Sequence, residues 1–584
     1  MPKKSSCEIK TRTIHQPQKN GDIYVIERQT QYDPVKKYNV VISSRIIGKI
    51  PKWQETMVAT RPKRRSKEKV SNSVIPPTVV SATRKKVGMM DIIDHIGKIS
   101  GIDDAVYNNT DPGTAQKILS LARYLLATNG QTLPGITTWQ YTHPLPYEDG
   151  ISEDTYHELF GQVGRDETLI QNFFASRLSG LDGKALLAYD STTISTYSGQ
   201  ISEARYGFNK AHDGRETVKL LALYSVGTRQ PVAFTKQPGN QPDVITVENA
   251  LKQLSAIGID KAEIITDNGY YSEKNLAALL HAHFDFITLV KTSIKWVRQE
   301  LDAHLYDFRS TSSACPFDTD THCVTTMRMQ EFSRPRKYAS QKKGLQAGDE
   351  ESFSRRIYLH LYFNPVRRVE QDSLFDKDLF ELKNLIETGS TEEELSESAI
   401  EKAHKYLIVR HYGSGCTVTF NEKTIAAKKK YHGYFALVSN CEKDAFECLC
   451  KYRRRETIEF FFESGKQRAD GSRTRVWSSE TLMGRMFVQF IALCYYEYLS
   501  EQIRQLKATL GRENGDPDHD NKDTLNRENK LNSWLKNTPI YLILQWFDAV
   551  EEVKVSTKLL SKRWTTEITS RDQLFLDKLG VPAF

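Results

Sequence analysis

Four residues in the stretch KYRRRETIEFFFESGK (451–466) are of the types that handle phosphate: Tyr452, Arg455, Glu459 and Lys466. They fall at i, i+3, i+7 and i+14. At about 100° per residue they sit at roughly 0°, −60°, −20° and −40° around a helix. One face then carries a hydroxyl, a guanidinium, a carboxylate and an ammonium. Arg offers phosphate a bidentate fork, Lys a point charge, and Tyr a hydrogen bond or a stacking surface. The plainer alternative is a solvated face whose Arg455–Glu459 pair adds a few tenths of a kcal/mol.

Two further carboxylates follow short apolar runs, Asp190 in KALLAYDST and Asp267 in AEIITDNGYYS. Sheets of α/β proteins place their sites in crevices at the carboxyl ends of strands, so each reads as a strand-end acid facing such a crevice. For either one alone, a turn or cap role is the competing reading. Ser191, beside Asp190, is not read as a nucleophile.

The elements that must position these residues can be read from periodicity. The runs 184–190, 218–226, 231–236, 262–267 and 284–290 are strand-like, helices are expected over 243–257 and from Ser272 to about 281, and the order is that of an α/β domain. Residues 22–50 alternate as a hairpin about Asp33-Pro34. Residues 89–178 have helical spacing. Over 296–430 the pattern weakens to short strand-like pieces between polar stretches, a mainly β insertion. A strand at 434–440, a single long helix over 444–465, and helices over 479–510 and 541–555 complete the reading. The domain expectation is a basic N-terminal region with hairpin (1–87), a helical region (88–180), an α/β core in two parts (181–295 and 431–500) around the insertion (296–430), and a helical C-terminal region (501–584).

The helix signature, matching Y-x-x-R-x-x-x-E-x-x-x-x-x-x-K without a mismatch, together with AYDSTTI and IITDNGYYS, resembles the DDE transposases of bacterial insertion sequences. More narrowly it is similar to the subgroup named for the Y-R-E-K signature, over about residues 184–500. The resemblance implies a ribonuclease H-like mixed-sheet core interrupted by a β-rich insertion, with Asp190, Asp267 and Glu459 as the metal-binding catalytic triad. It implies that Tyr452, Arg455 and Lys466 contact phosphates of the transposon end. The separations suit an interrupted core, with 76 residues between the aspartates and 191 between Asp267 and Glu459. The implied cofactor is Mg²⁺, for which Mn²⁺ can substitute. Two such ions about 3.5–4 Å apart stabilise the attacking and leaving oxygens of phosphodiester exchange, and hard cations take carboxylate oxygens. The implied partners are double-stranded DNA, as terminal inverted repeats and as target, and a second copy in a homodimeric synaptic complex. Relatives stack an extruded base on an aromatic of the insertion. This chain has no tryptophan between Trp296 and Trp477, leaving Tyr431, His432 and Tyr434 as substitutes or as strand-edge packing. Two rivals stand beside the transposase: a transposase-derived DNA-binding regulator without catalysis, and a nuclease of the same core.

Charge supports a polyanionic partner. The first 86 residues hold 20 Lys and Arg against 6 Asp and Glu, so their excess of 14 exceeds the chain's net +8. Its densest part includes Arg64 and Arg65, and each neutralised phosphate releases condensed counterions. Lys291, Lys295 and Trp296, after a strand, suit DNA tracking by charge and stacking, or a solvated edge. Cys448-x-Cys450 and the Cys315, His322, Cys323 set lack zinc-ligand spacing and read as ordinary thiols. Tyr412-Gly413-Ser414-Gly415 lacks the Gly-Lys-Ser/Thr of a phosphate loop. With no apolar run of about 18 residues and no secretion signal, the chain is expected in the cytoplasm, nucleoid-associated and without membrane contact.

Overall fold

The computed structural model describes residues 9–59, 79–178, 185–259, 261–336, 346, 348–388, 395–412, 415–510, 522–557 and 561–582. The expected DNA contacts Arg64 and Arg65 lie outside these residues. The chain divides into two compact units, Met1–Thr78 and Val79–Phe584.

The first unit is an antiparallel sheet ordered β1 (Lys10–Pro17), β2 (Ile23–Asp33), β3 (Tyr38–Ile50) and β4 (Val58–Ala59). The hairpin read about Asp33-Pro34 is β2–β3. Asp33 Oδ1 accepts from the backbone of Val35 at 2.9 Å, an Asx-type turn that reverses the chain. Val25 and Ile26 are buried, while Val41, Ile42 and Ile46 are exposed.

In the second unit, β5 (Val79–Lys86) comes first and a helical layer follows. Pro112–Ala127 starts as the sequence indicates: Asp111 caps Thr114 N at 3.0 Å, with proline in the first turn. The main sheet is built from β6 (Ala185–Ser195), β7 (Thr217–Ser225), β8 (Gln230–Pro238), β9 (Ala262–Thr266), β10 (Asp285–Val290), β11 (Ala314–Cys315), β12 (Asp318–Pro335) and β13 (Glu350–Phe363). A hairpin, β14 (Leu407–Tyr412) and β15 (Gly415–Phe420), precedes the last sheet member, β16 (Tyr434–Ser439). The order is β11-β12-β13-β16-β10-β9-β6-β7-β8, with β9 parallel to β6 and β10 and the other pairs antiparallel. Helices Asp243–Ala256 and Glu273–His281 make the two crossovers that parallel pairing requires. β9, AEIIT, is buried throughout, as a central strand covered on both faces must be.

Two expectations change here. The stretch 296–430 is divided: β12 and β13 extend the main sheet, and only the part between β13 and β16 stands apart. That part is mixed, with helix Pro365–Glu387, two shorter helices and the β14–β15 hairpin around Leu382, Ala403, Leu407 and Val418. The C-terminal helix ends at Phe547, after which β17 (Glu551–Thr557) pairs with β5 and with β18 (Ser561–Thr565).

The helical layer is locked to the 31-residue helix Ser479–Thr509. Gly164 and Gly484 let two helices meet backbone to backbone; a Cβ on either would overlap a carbonyl of the other helix. Arg123 bridges Asp94 and Asp103, and Tyr495 donates to Asp103, so one network of ion pairs and hydrogen bonds ties four helices together around the buried Arg123 and Asp103. Among the described residues no helix is long and apolar enough to cross a membrane.

Candidate active site

Asp190 lies in mid-strand and not at a strand end, because β6 continues to Ser195 as a two-stranded ribbon with β7. The parallel neighbour β9 pairs only as far as Ala188, so Asp190 sits where the sheet opens. Asp267 follows the last residue of β9 and caps the turn Asn268–Tyr270, accepting from Asn268 N at 2.6 Å. Two adjacent parallel strands thus bring both acids to one opening.

The expected single helix over 444–465 is two, Ala445–Arg453 and Glu456–Arg468, with a corner at Arg454 and Arg455. The regular 100° spacing behind the angular reading is interrupted there, although Arg454 and Arg455 keep right-handed helical backbone. The residues meet by another route: Arg455, at the corner, turns its guanidinium into the opening. It donates to Asp190 Oδ2 at 2.9 Å and to Glu459 Oε1 at 2.7 Å, and lies 3.9 Å from Asp267 Oδ2. Tyr452, on the preceding helix, donates to Asp267 Oδ1 at 3.3 Å. Lys466 lies near the far end of the Glu456 helix, lining with Thr192 and Ile194 a small cavity against β6.

The site is graded in exposure. The side chains of Arg455 and Asp190 are 10% and 14% exposed, Asp267 38% and Glu459 56%. Burial, outweighing the adjacent guanidinium, raises the Asp190 carboxyl above its ordinary range. Asp190 Oδ1 also accepts from Ser191 N at 2.8 Å and receives the Tyr270 hydroxyl at 3.5 Å. Burial drives the Tyr270 phenol far above its usual range, so it remains a donor. Ser191 donates to Asp243 at 2.9 Å.

Three hard carboxylates sharing one guanidinium keep two negative charges that Arg455 does not compensate. Their oxygen chemistry suits divalent cations. Yet among the described residues no group of three Asp, Glu, His or Cys is arranged to hold a metal, since the guanidinium takes the space between them. The donor types fit; the side-chain arrangement is that of an arginine-filled site. Burial pushes the Cys448 thiol well up, as for a packed thiol.

A cleft of about 640 Å³, lined by Tyr452, Arg453, Arg455, Glu459, Arg367 and Phe435, opens beside the acids. A second, of about 830 Å³, shares Leu289, Arg367 and Phe435 with it and is lined by Lys291 and Arg298. Lys291 thus faces a cleft, and Lys295 is exposed. Trp296 offers no free stacking face: it packs on the core, donates to Tyr271 and lies under Arg328, 4.9 Å from the ring. Tyr431 is likewise bonded to Asp302 and covered by Arg298 at 4.4 Å, and His432 is buried against Asp372.

Sequence reasoning missed Tyr270, Asp243 and Lys219, whose ammonium donates to Asp243 at 2.7 Å. The turn Asp267-Asn268-Gly269 was the available signal for Tyr270, since a turn folded back under its own strand aims the next side chain at the neighbouring strand.

A family model described as Transposase DDE domain matches residues 182–495, more than half of the chain. No curated protein matches. Among solved structures, a piggyBac transposase synaptic complex with hairpin DNA is similar, with a TM-score of 0.33 and 10% identity over 78% of this chain and 81% of that one.

Proposed function

We propose how this chain, which belongs to the transposase DDE domain family and so is a DNA transposase, performs its reaction: as the enzyme of a bacterial insertion sequence of the Y-R-E-K type, it binds terminal inverted repeats, cuts DNA and joins the freed 3′-hydroxyl ends to target DNA. The observation that carries this is the convergence of Asp190, Asp267 and Glu459, from three distant segments, on Arg455. A ribonuclease H-like core is supported by an antiparallel β6–β7–β8 meander with β9 and β10 added in parallel at the β6 edge.

Each residue's part follows from its contacts. Ser191 N and Tyr270 fix one oxygen of Asp190, and Tyr452 fixes one of Asp267. Glu459, the most exposed of the three acids, comes from the helix that also bears Lys466, so one rigid rod joins a cluster carboxylate to a phosphate-seeking ammonium. Arg455 holds the acids together against their repulsion and presents a fork to a phosphate that replaces one of them. Asp190, Asp267 and Glu459 would hold Mg²⁺ or Mn²⁺, which when bound supplies charge stabilisation at both reacting oxygens. Tyr452, Arg455, Lys466, Lys291 and Lys295 contact the DNA backbone, with the N-terminal basic region (1–87, including Arg64 and Arg65) and the helical region (88–180) on the terminal repeats. A homodimer pairs two ends.

The test is Glu459→Gln in the full chain, assayed on a duplex carrying the inverted repeat that bounds the gene. The expected result is retained binding with Mg²⁺-dependent nicking abolished. Full nicking by this variant would overturn the mechanism.

A further inference from the structure

We propose that Lys210, carried by the segment between β6 and β7, is a second phosphate-binding ammonium of the cleft and acts with Lys466 on the backbone of the DNA strand beside Asp190. This rests on the reading above, and it assigns a site residue outside the corner helices.

The segment around Lys210 is built to hold one position. Lys210 N donates to Thr193 Oγ1 at 3.1 Å, so its backbone is pinned to β6. Asn209 bridges Asp213 Oδ1 at 2.6 Å and the backbone of Ala211 at 2.8 Å, closing the turn that carries Lys210. Asp213 is fixed in turn by Arg473 at 2.7 Å. His212 and Gly214 take left-handed backbone conformations, with φ of 50° and 67°, which fold the turn tightly.

All of this anchors the backbone and leaves the side chain to reach back along β6. The ammonium donates to Ser191 O at 3.1 Å, the carbonyl directly after Asp190. That uses one of its three hydrogens. Among the described residues no carboxylate lies within ion-pairing distance of Lys210 or of Lys466. Lys466 approaches the same stretch of β6 through Thr192 and Ile194. Two cations without an ion pair therefore flank residues 191–194, and the charge of Lys210 also acts on Asp190, favouring its ionised form. Burial and then Lys210 hold the Lys466 amine below the ordinary lysine range, as expected of neighbouring like charges. An anion with several oxygens relieves that repulsion, and a phosphodiester is the anion the cleft is read to accept.

The competing role is structural, with Lys210 merely tying the turn to β6 through Ser191 O. The two are separated with the full chain, wild type and the variants K210M, K210R and K466M. The probe is the short inverted-repeat duplex, with binding measured over a series of KCl concentrations without divalent metal. A lost phosphate contact lowers the slope of log K against log salt by about 0.9. K210M and K466M should each show that loss, while K210R, which keeps the charge, retains the wild-type slope. A K210M slope equal to wild type overturns the proposal, and so does a slope that K210R fails to retain. Wild-type nicking of the same duplex in Mg²⁺ is scored separately. If it occurs while K210M leaves the slope unchanged, Lys210 is wrong and the transposase mechanism stands; if wild type neither binds nor nicks, the mechanism itself falls.

Discussion

Arg455→Met should destabilise the protein far more than the same change made together with Asp190→Asn. The side chains of Arg455 and Asp190 are 10% and 14% exposed, so their 2.9 Å pair is effectively interior. Removing one partner of a buried pair costs about 3–5 kcal/mol, because the other is left as an uncompensated charge. Asp190 keeps Ser191 N and Tyr270, which places the expected loss near the lower figure, about 3 kcal/mol. Glu459 and Asp267 are 56% and 38% exposed, and water screens what they lose to well under about 1 kcal/mol. With Asp190 also neutral, no buried charge remains, and the double variant should lose about 1 kcal/mol. Asp190→Asn alone leaves Arg455 its 2.7 Å bond to Glu459 and should cost little, so the coupling in the double-mutant cycle, the double loss minus the two single losses, is about 2 kcal/mol in magnitude, read by urea unfolding of the full chain at neutral pH without divalent ions. A coupling below about 0.5 kcal/mol, the additivity of unconnected sites, would refute the picture of Arg455 as the cluster's counter-charge.

Glu497, half-buried, receives the Tyr224 hydroxyl at 3.0 Å, and desolvation pushes its carboxyl up to about 7. A raised acid favours the folded state in its protonated form, so its contribution is complete below the unfolded value and is lost as pH rises to about 7, up to roughly 3 kcal/mol. Glu497→Gln should flatten the stability profile across that window, measured by unfolding at a series of pH values; an unchanged slope would contradict the assignment. Tyr270→Phe removes one contact to Asp190 without altering packing, and single-turnover nicking should slow about five- to tenfold with an unchanged thermal midpoint. Gly484→Ala forces two helix backbones apart and should cost about 3 kcal/mol, the upper end for overpacking, visible in urea midpoints.

The central strands were legible because they are short, apolar and bounded by turns. β7, β8, β9 and β10 lie within two residues of where the runs 218–226, 231–236, 262–267 and 284–290 put them. Ser272 caps its helix as expected, accepting from Asn275 N at 3.0 Å. Other elements hid for specific reasons. β12 alternates, but its exposed positions mix Thr325, Met327, Met329, Glu331 and Ser333 and only Thr321 and Phe332 are buried, so a reading of apolar runs passes over it. Helix Pro365–Glu387 buries only Leu379 and Leu382 and so shows no apolar stripe. β17 reads as the end of a helix over 541–555 in the sequence because its partner β5 lies far away in the chain, where no local pattern registers. At the site, residue types and order were legible and geometry was not: the corner at Arg455 breaks the periodicity on which the angles rested, and Tyr270 and Lys219 act through contacts between strands that spacing does not encode.

That corner has a consequence for how the signature tolerates change. Tyr452 belongs to one rod, Glu459 and Lys466 to another, and Arg455 is the joint. Lengthening the second rod by a residue between Glu459 and Lys466 would swing Lys466 by about 100° around its axis and leave the other three in place. Adding the same residue at the joint itself would instead re-aim Arg455, the one group that touches every acid. Insertion scanning across 453–466 should thus find a sharp minimum at the joint and a shallower dip beyond Glu459, a profile that an unbroken rod would not produce.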